Sequence, residues 1–211
     1  DRIALFGYAH VPHMVPRQKM IPQEALAGAA ERFAMAAQGY AYLTAHGYRP
    51  IGFDHFALPH DPMAEAARTG TLRRNFQGFT DDRADVLIGM GSTAISGFPG
   101  LIAQNEKNNG RYRTLSSQGR LSATHGIIRN REDQLRGSVI EHLLCQGHAA
   151  IAPCLLGEVR AGLGPFLERD LVRIAGNDLA ITPEGLPYAR VIASLFDAYR
   201  KITQRSFSSA I

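Results

Sequence analysis

The sequence predicts an α/β fold, a parallel sheet open or closed into a barrel, followed by a compact helical, winged-helix-like carboxyl-terminal domain. Three observations carry this. Strand-like and helix-like runs alternate through the first half of the chain. Polar residues stand where each apolar run ends. Beyond about residue 128 the pattern turns to helices followed by a short β wing.

The elements follow in order. Segment 2–8 is apolar and β-compatible, and Pro12 and Pro16 cannot continue a central strand. From Gln23 to His46, apolar residues at Leu26, Ala30, Phe33, Ala37, Tyr40 and Leu43 give the spacing of an amphipathic helix, with Gly47 placed as its C-terminal cap. A strand over Tyr48–Phe53, a short helix near 62–70 and an irregular stretch through 74–78 come next. A third strand is expected at Asp85–Met90 and a helix around 99–118, weakened by Gly100 and Gly110. The run 130–145 opens with Asn130 and Asp133, which resemble a capping box, and continues as a helix. Further helices are expected at Gly164–Ile174 and Leu186–Ile202, with a small wing at Leu179–Thr182 between them. The division is thus 1–127 for the α/β part and 128–211 for the appended domain.

Bulk composition narrows the function classes. The 211 residues are 45% hydrophobic and 20% charged, ordinary for a soluble globular protein. Basic residues exceed acidic ones by 23 to 19, a net charge of +4 with no clustered block, which argues against nucleic-acid binding. No run of eighteen apolar residues exists, so no membrane span is expected, and no signal peptide is visible. Two cysteines, Cys145 and Cys154, are too few for a disulfide framework and suggest a reducing, cytoplasmic setting.

Parallel α/β sheets place their ligands past the carboxyl ends of the strands. Tyr8-Ala9-His10, Asp54-His55 and Gly91–Ser96 hold those places. His10, His13, Asp54, His55 and His60 could supply ligands to zinc or iron, although ligand-holding or capping roles suit a proline-flanked loop better. "GMGSTA" (89–94) fits the dinucleotide pattern only in outline; Gly89 and Gly91 are expected to let the backbone turn sharply and a ligand approach. No nucleophile elbow or phosphate loop occurs.

The stretches "YAHVPHM" (8–14), "GFDHFALPHDPMAEA" (52–66), "LRRNFQGFT" (72–80), "DVLIGMGSTAIS" (85–96) and "QNEK" (104–107) follow one another in the order of one family. The chain resembles the carboxyl-terminal half of oxygen-independent coproporphyrinogen III oxidases (dehydrogenases), radical S-adenosylmethionine (SAM) enzymes of haem biosynthesis. The resemblance implies part of an incomplete parallel (β/α) barrel of the radical SAM type, then the winged-helix-like domain. It implies a 4Fe-4S cluster and two SAM molecules per full-length enzyme. It also implies coproporphyrinogen III as substrate, an electron donor and acceptor, and a monomer when full length. Hydrogen abstraction from two propionates, each with loss of carbon dioxide and an electron, would leave two vinyl groups.

By the same resemblance, Ala9 and Ile95 match positions that contact the second and first SAM, and Phe76 and Gln77 a further pair beside the cofactors. Asp54 and His55 are expected to orient a cofactor carboxylate or amine, or a substrate propionate. The cluster-binding C-x-x-x-C-x-x-C motif is absent, and Cys145 and Cys154 have the wrong spacing for it. His125 stands where arginine is usual in the family. The chain therefore reads as a fragment, expected to be inactive alone. Two rival readings accompany this one: a haem chaperone relative within the superfamily, and a metal-dependent barrel hydrolase built on the histidines.

Overall fold

The computed structural model describes residues 1–200. β1 (Arg2–Ala4) is followed by two single 3-10 turns and α1 (Ala29–Ala45). The helix starts later than its apolar spacing suggests, because Gln23–Ala25 forms only one 3-10 turn. Gly47, at φ +85°, ends it in the left-handed conformation as expected.

The predicted strand 48–53 is in fact one arm of a hairpin. β2 (Arg49–Ile51) turns back through Gly52, Phe53 and Asp54 into β3 (His55–Ala57), with Ile51 opposite His55. β3 lies between β1 and β2 and pairs antiparallel with both. The expected parallel neighbours are therefore corrected: β1 and β2 point the same way but are separated by β3. Every strand pairing among the described residues is antiparallel. An apolar run reports burial and not direction, which is why the reading erred.

α2 (Pro62–Arg68) is capped by Asp61, whose side chain accepts from the Met63 amide at 2.8 Å. Nε of Arg2 also donates to Asp61 at 2.9 Å, tying β1 to this helix and holding the Asp61 carboxyl below its usual range. β4 (Arg73–Arg74) and β5 (Phe79–Thr80) form a short hairpin around the stretch expected to be irregular.

No strand forms at 85–90. Only Leu87 bridges, to Gly97, while Ile88 and Met90 are largely exposed. β6 (Ile95–Phe98), β7 (Leu101–Asn105) and β8 (Ala123–Ile128) make an antiparallel sheet. Pro99-Gly100 turns the chain between β6 and β7, so the helix expected at 99–118 shrinks to α3 (Asn109–Ser117). Asn108 caps it by accepting from the Arg111 amide.

α4 (Arg131–Gln146) begins with the anticipated capping box: Asn130 and Asp133 exchange side-chain and backbone bonds at 2.9 Å. β9 (His148–Ala150), α5 (Pro153–Leu167), β10 (Val172–Ala175) and β11 (Asp178–Ile181) follow, the strands in order β10-β11-β9. The helix expected at Gly164–Ile174 is thereby displaced, since residues 172–175 form β10, paired antiparallel with β11. Leu186–Ile202 is a broken helix: α6 (Ala189–Ala193) flanked by single 3-10 turns, with Ile202 outside the described residues. No helix among the described residues is long and apolar enough to cross a membrane.

Two apolar clusters organise the interior. One gathers Val139, Leu143, Leu156, Leu163, Leu179, Ile192 and Phe196. The other gathers Ile51, Ala57, Met63, Leu72, Phe79 and Cys145. α4 serves both, and Leu144 packs against each. Arg136 on α4 is buried and paired with Glu132 and Glu158, joining α4 to α5.

The two cysteines differ sharply. Cys154 is exposed; Cys145 is buried, and burial pushes its thiol up to about 12. Alkylation of the native chain near pH 8 is expected to label Cys154 and spare Cys145 until the fold is opened. A doubly labelled native protein in intact mass spectra would contradict this. Since an unfolded thiol titrates near about 8.5, the unfolded chain loses this proton first, so Cys145 lowers stability as pH rises above that value.

Candidate active-site wall

The "GFDHFALP" stretch forms the β2–β3 turn and the strand leaving it. Gly52 has φ +59°, and a Cβ there would lie 2.0 Å from Cζ of Phe79. The turn can therefore close only on glycine. It delivers Asp54 and His55 side by side, with Asp54 Oδ1 2.5 Å from His55 Nδ1. Both side chains stay partly exposed, at 21% and 26%. The pair sits at a strand beginning, not a strand end as expected, and keeps enough water to avoid the cost of burying a charge.

"RNFQGF" is the β4–β5 hairpin. Asn75 shapes its turn by accepting from the amides of Gln77 at 2.8 Å and Gly78 at 3.3 Å. This leaves Phe76, 52% exposed, and Gln77 at the tip. Phe79 turns inward, 5.3 Å from the His55 ring and 5.6 Å from Phe53 between centroids. The Arg74 guanidinium lies 4.7 Å above Phe79. α4 fixes the hairpin from behind: Glu141 accepts from Arg73 Nε at 2.9 Å and from the Arg74 amide at 3.0 Å.

The "GMGSTAIS" loop is held by "QNEK". Asn105 Nδ2 donates to the carbonyls of Gly89 and Gly91 at 3.0 Å each. The Gly89 amide donates to Ser96 Oγ, and the Gly91 amide to the Tyr112 hydroxyl. The Thr93 amide donates to the Glu106 carbonyl, with Thr93 itself at φ +66°. The Asn108 amide, then Arg111, hold the Glu106 carboxyl below its usual range. The expectation that Gly89 admits a ligand needs correction. A Cβ there would lie 2.6 Å from the Ile95 carbonyl oxygen, so its vacancy serves the loop's own backbone. Ile95, half-buried, opens β6 directly after this loop.

Ala9 lies exposed beyond β1, its carbonyl accepting from Gln18 Nε2 at 2.9 Å. The structure thus joins "DHF" and "RNFQGF" through Phe79. A cavity of about 60 Å³ lined by Arg73, Arg74, Asn75, Thr80, Asp82 and Leu87 connects that hairpin to the strand-bridging Leu87. Among the described residues no hydrogen bond or ring contact ties Ala9 or Ile95 to the hairpin. The histidines do not gather: His60 approaches Asp1 at 3.9 Å, His10 packs near Tyr8, and no group of three His, Cys, Asp or Glu occurs among the described residues. His125 is exposed on β8, opposite Gln104. Arg74, Asn75 and Asn105 escaped the sequence reading although each lies inside a quoted motif. Their roles depend on which side chain meets which backbone atom.

No protein-family model matches the chain. It is 42% identical over 212 residues to an oxygen-independent coproporphyrinogen III oxidase of Paracoccus denitrificans, covering 94% of this chain and 46% of that protein. A protein of the same name from Thermostichus vulcanus is 36% identical over 223 residues, covering all of this chain and 69% of the relative. Among solved structures, the Escherichia coli coproporphyrinogen III oxidase HemN, described as a radical SAM enzyme, superposes with a TM-score of 0.86 at 33% identity. That match covers 95% of this chain and 48% of the solved one. By fold the chain is thus similar to half of a solved enzyme of the radical SAM class. More narrowly, it belongs to the oxygen-independent coproporphyrinogen III oxidase family. It spans about half the length of several of the curated relatives it matches.

Proposed function

We propose that these residues form one wall of a radical SAM active site that oxidatively decarboxylates two propionates of coproporphyrinogen III to vinyls, giving protoporphyrinogen IX. The observation that carries this reading is the joined wall of "DHF" and "RNFQGF", packed through Phe79, which leaves Phe76 and Gln77 exposed at its tip. In this reading residues 1–127 contribute to an incomplete barrel, with β1 and β2 pointing the same way, and residues 128–211 form the winged-helix-like domain. The setting is cytoplasmic, with an electron donor and acceptor as further partners.

The residues present fit SAM but not an iron–sulfur cluster. Buried Cys145 and exposed Cys154 lie on different helices, without a third thiolate among the 211 residues. Cluster ligands would come from outside these residues, which alone would not turn over. SAM, when bound, supplies the hydrogen-abstracting chemistry. Phe76 offers an open aromatic face to adenine or the sulfonium, and Gln77 an amide that can donate and accept. Ile95 and Ala9 offer small or apolar surface to an adenosyl group. The wall's part is to hold the ligands in register and exclude water.

The test is anaerobic turnover by the full-length protein carrying this chain, reconstituted with iron, sulfide and SAM. Formation of protoporphyrinogen IX is expected, and Phe76→Ala should weaken SAM binding about 3- to 10-fold, the scale of one aromatic contact. Haem binding without any conversion of coproporphyrinogen would overturn the oxidase reading in favour of a chaperone.

A further inference from the structure

Arg74 is unusual among the arginines around the wall. Its guanidinium lies 4.7 Å from the Phe79 centroid and 5.5 Å from that of Phe53. Among the described residues no carboxylate comes within ion-pair distance of it and no hydrogen bond uses its side chain, and Nη1 is sealed without a partner. Neighbouring Arg73, by contrast, donates from Nε to Glu141 and lies 3.8 Å from Asp85. A partly buried guanidinium whose donors find no acceptor is costly.

His55 stands against the same ring. Asp54 accepts from Nδ1, so Nε2 is the nitrogen left for a ligand, and it donates to a carboxylate only when the ring is an imidazolium. No described residue hydrogen-bonds to Nε2, and it is not among the sealed atoms. It faces Gly78, where the missing side chain leaves room; a Cβ there would lie 3.9 Å away. Arg190 adds a second guanidinium, 5.8 Å from the Phe53 ring and without a described ion pair. The one opposing charge lining the adjacent cavity is Asp82, which is turned to the Ala84 amide.

We propose that Arg74 and His55, both packed on Phe79, form a carboxylate-binding subsite. Its ligand is either the amino-acid carboxylate of SAM or a substrate propionate. Guanidinium suits this through its two parallel N–H donors, and packing against Phe79 and Phe53 restricts its position in advance. Asp54 acts as a positioning residue, fixing the angle of His55 and favouring the imidazolium, whose Nε2–H donates to the carboxylate. The inference rests on the function proposed above.

The experiment uses the full-length protein carrying this chain and two titrations: SAM by calorimetry, and coproporphyrin III by fluorescence, with its tetramethyl ester as the uncharged control. Arg74→Met and His55→Phe preserve bulk; Arg74→Lys keeps the charge but loses the fork. Loss of one charge-assisted contact should weaken one ligand about 10- to 100-fold and leave the other unchanged, with Arg74→Lys intermediate. Weakened coproporphyrin with intact SAM assigns the propionate; the converse assigns SAM. If Arg74→Met does not fold, His55→Phe carries the same comparison. Variants that bind both ligands within twofold of wild type overturn the subsite while the function stands. A wild-type protein that binds neither overturns the function itself, and the subsite with it.

Discussion

Gly52→Ala is expected to destabilise the chain by about 2–5 kcal/mol, combining left-handed strain with overpacking. At φ +59° any side chain carries the first cost. The second is particular to this turn: the added Cβ would meet three atoms of the Phe79 ring at 2.0, 2.6 and 2.7 Å. Phe79 cannot step aside freely, being buried against Phe53, His55 and Arg74. Gly70→Ala is the matched control, since Gly70 has φ +69° and nothing within 4 Å of the would-be Cβ. It should lose only about 1–2 kcal/mol. Chemical denaturation of both variants measures the difference. Equal losses would mean that Phe79 relaxes without penalty and that the wall is looser than its contacts suggest.

The same turn marks the limit of what the sequence discloses. That Asp54 and His55 stand next to a strand was legible, but they lead into β3 and do not close the apolar run before them. That the chain reverses at Gly52 was not, because the reason is an aromatic ring twenty-seven residues away. The Asn130–Asp133 cap was readable since both partners lie within one turn. The bounds of α5 were not: Gly157, Gly162, Gly164 and Pro165 disguise a helix whose Leu155, Leu156, Val159 and Leu163 are buried together. Tertiary burial there outweighs intrinsic propensity. The run 85–90 failed in the opposite sense, its apolar residues signalling a strand where only Leu87 pairs.

For the site, motif order located the loops, and the structure shows what holds each of them in shape. Phe76 and Gln77 were expected beside a ligand, and the hairpin presents both at its tip. The residues that shape the loops are Asn75 and Asn105, whose amides replace backbone partners the turns cannot supply. Such roles are invisible to spacing, because asparagine is equally common in loops that hold nothing.

Phe196→Ala should destabilise the chain by about 3–5 kcal/mol, the cost of truncating a fully buried aromatic. Phe196 has no exposed surface, and its carbonyl accepts from buried Arg136, so the cavity would open beside a charge. The loss should not stay in the carboxyl-terminal cluster. On α4, Leu143 belongs to that cluster, Cys145 to the other, and Leu144 touches both, so loosening one face of the helix loosens its other face. The Cys145 thiol reports on this directly. In Phe196→Ala its alkylation should begin at the temperature where far-ultraviolet circular dichroism is lost, both lowered by the same interval. A thiol that stays protected after the carboxyl-terminal cluster has melted would show that the two clusters unfold separately. The coupling of the "RNFQGF" hairpin to α4 through Arg73 and Glu141 would then be a local contact, unable to transmit damage from the carboxyl-terminal end to the wall.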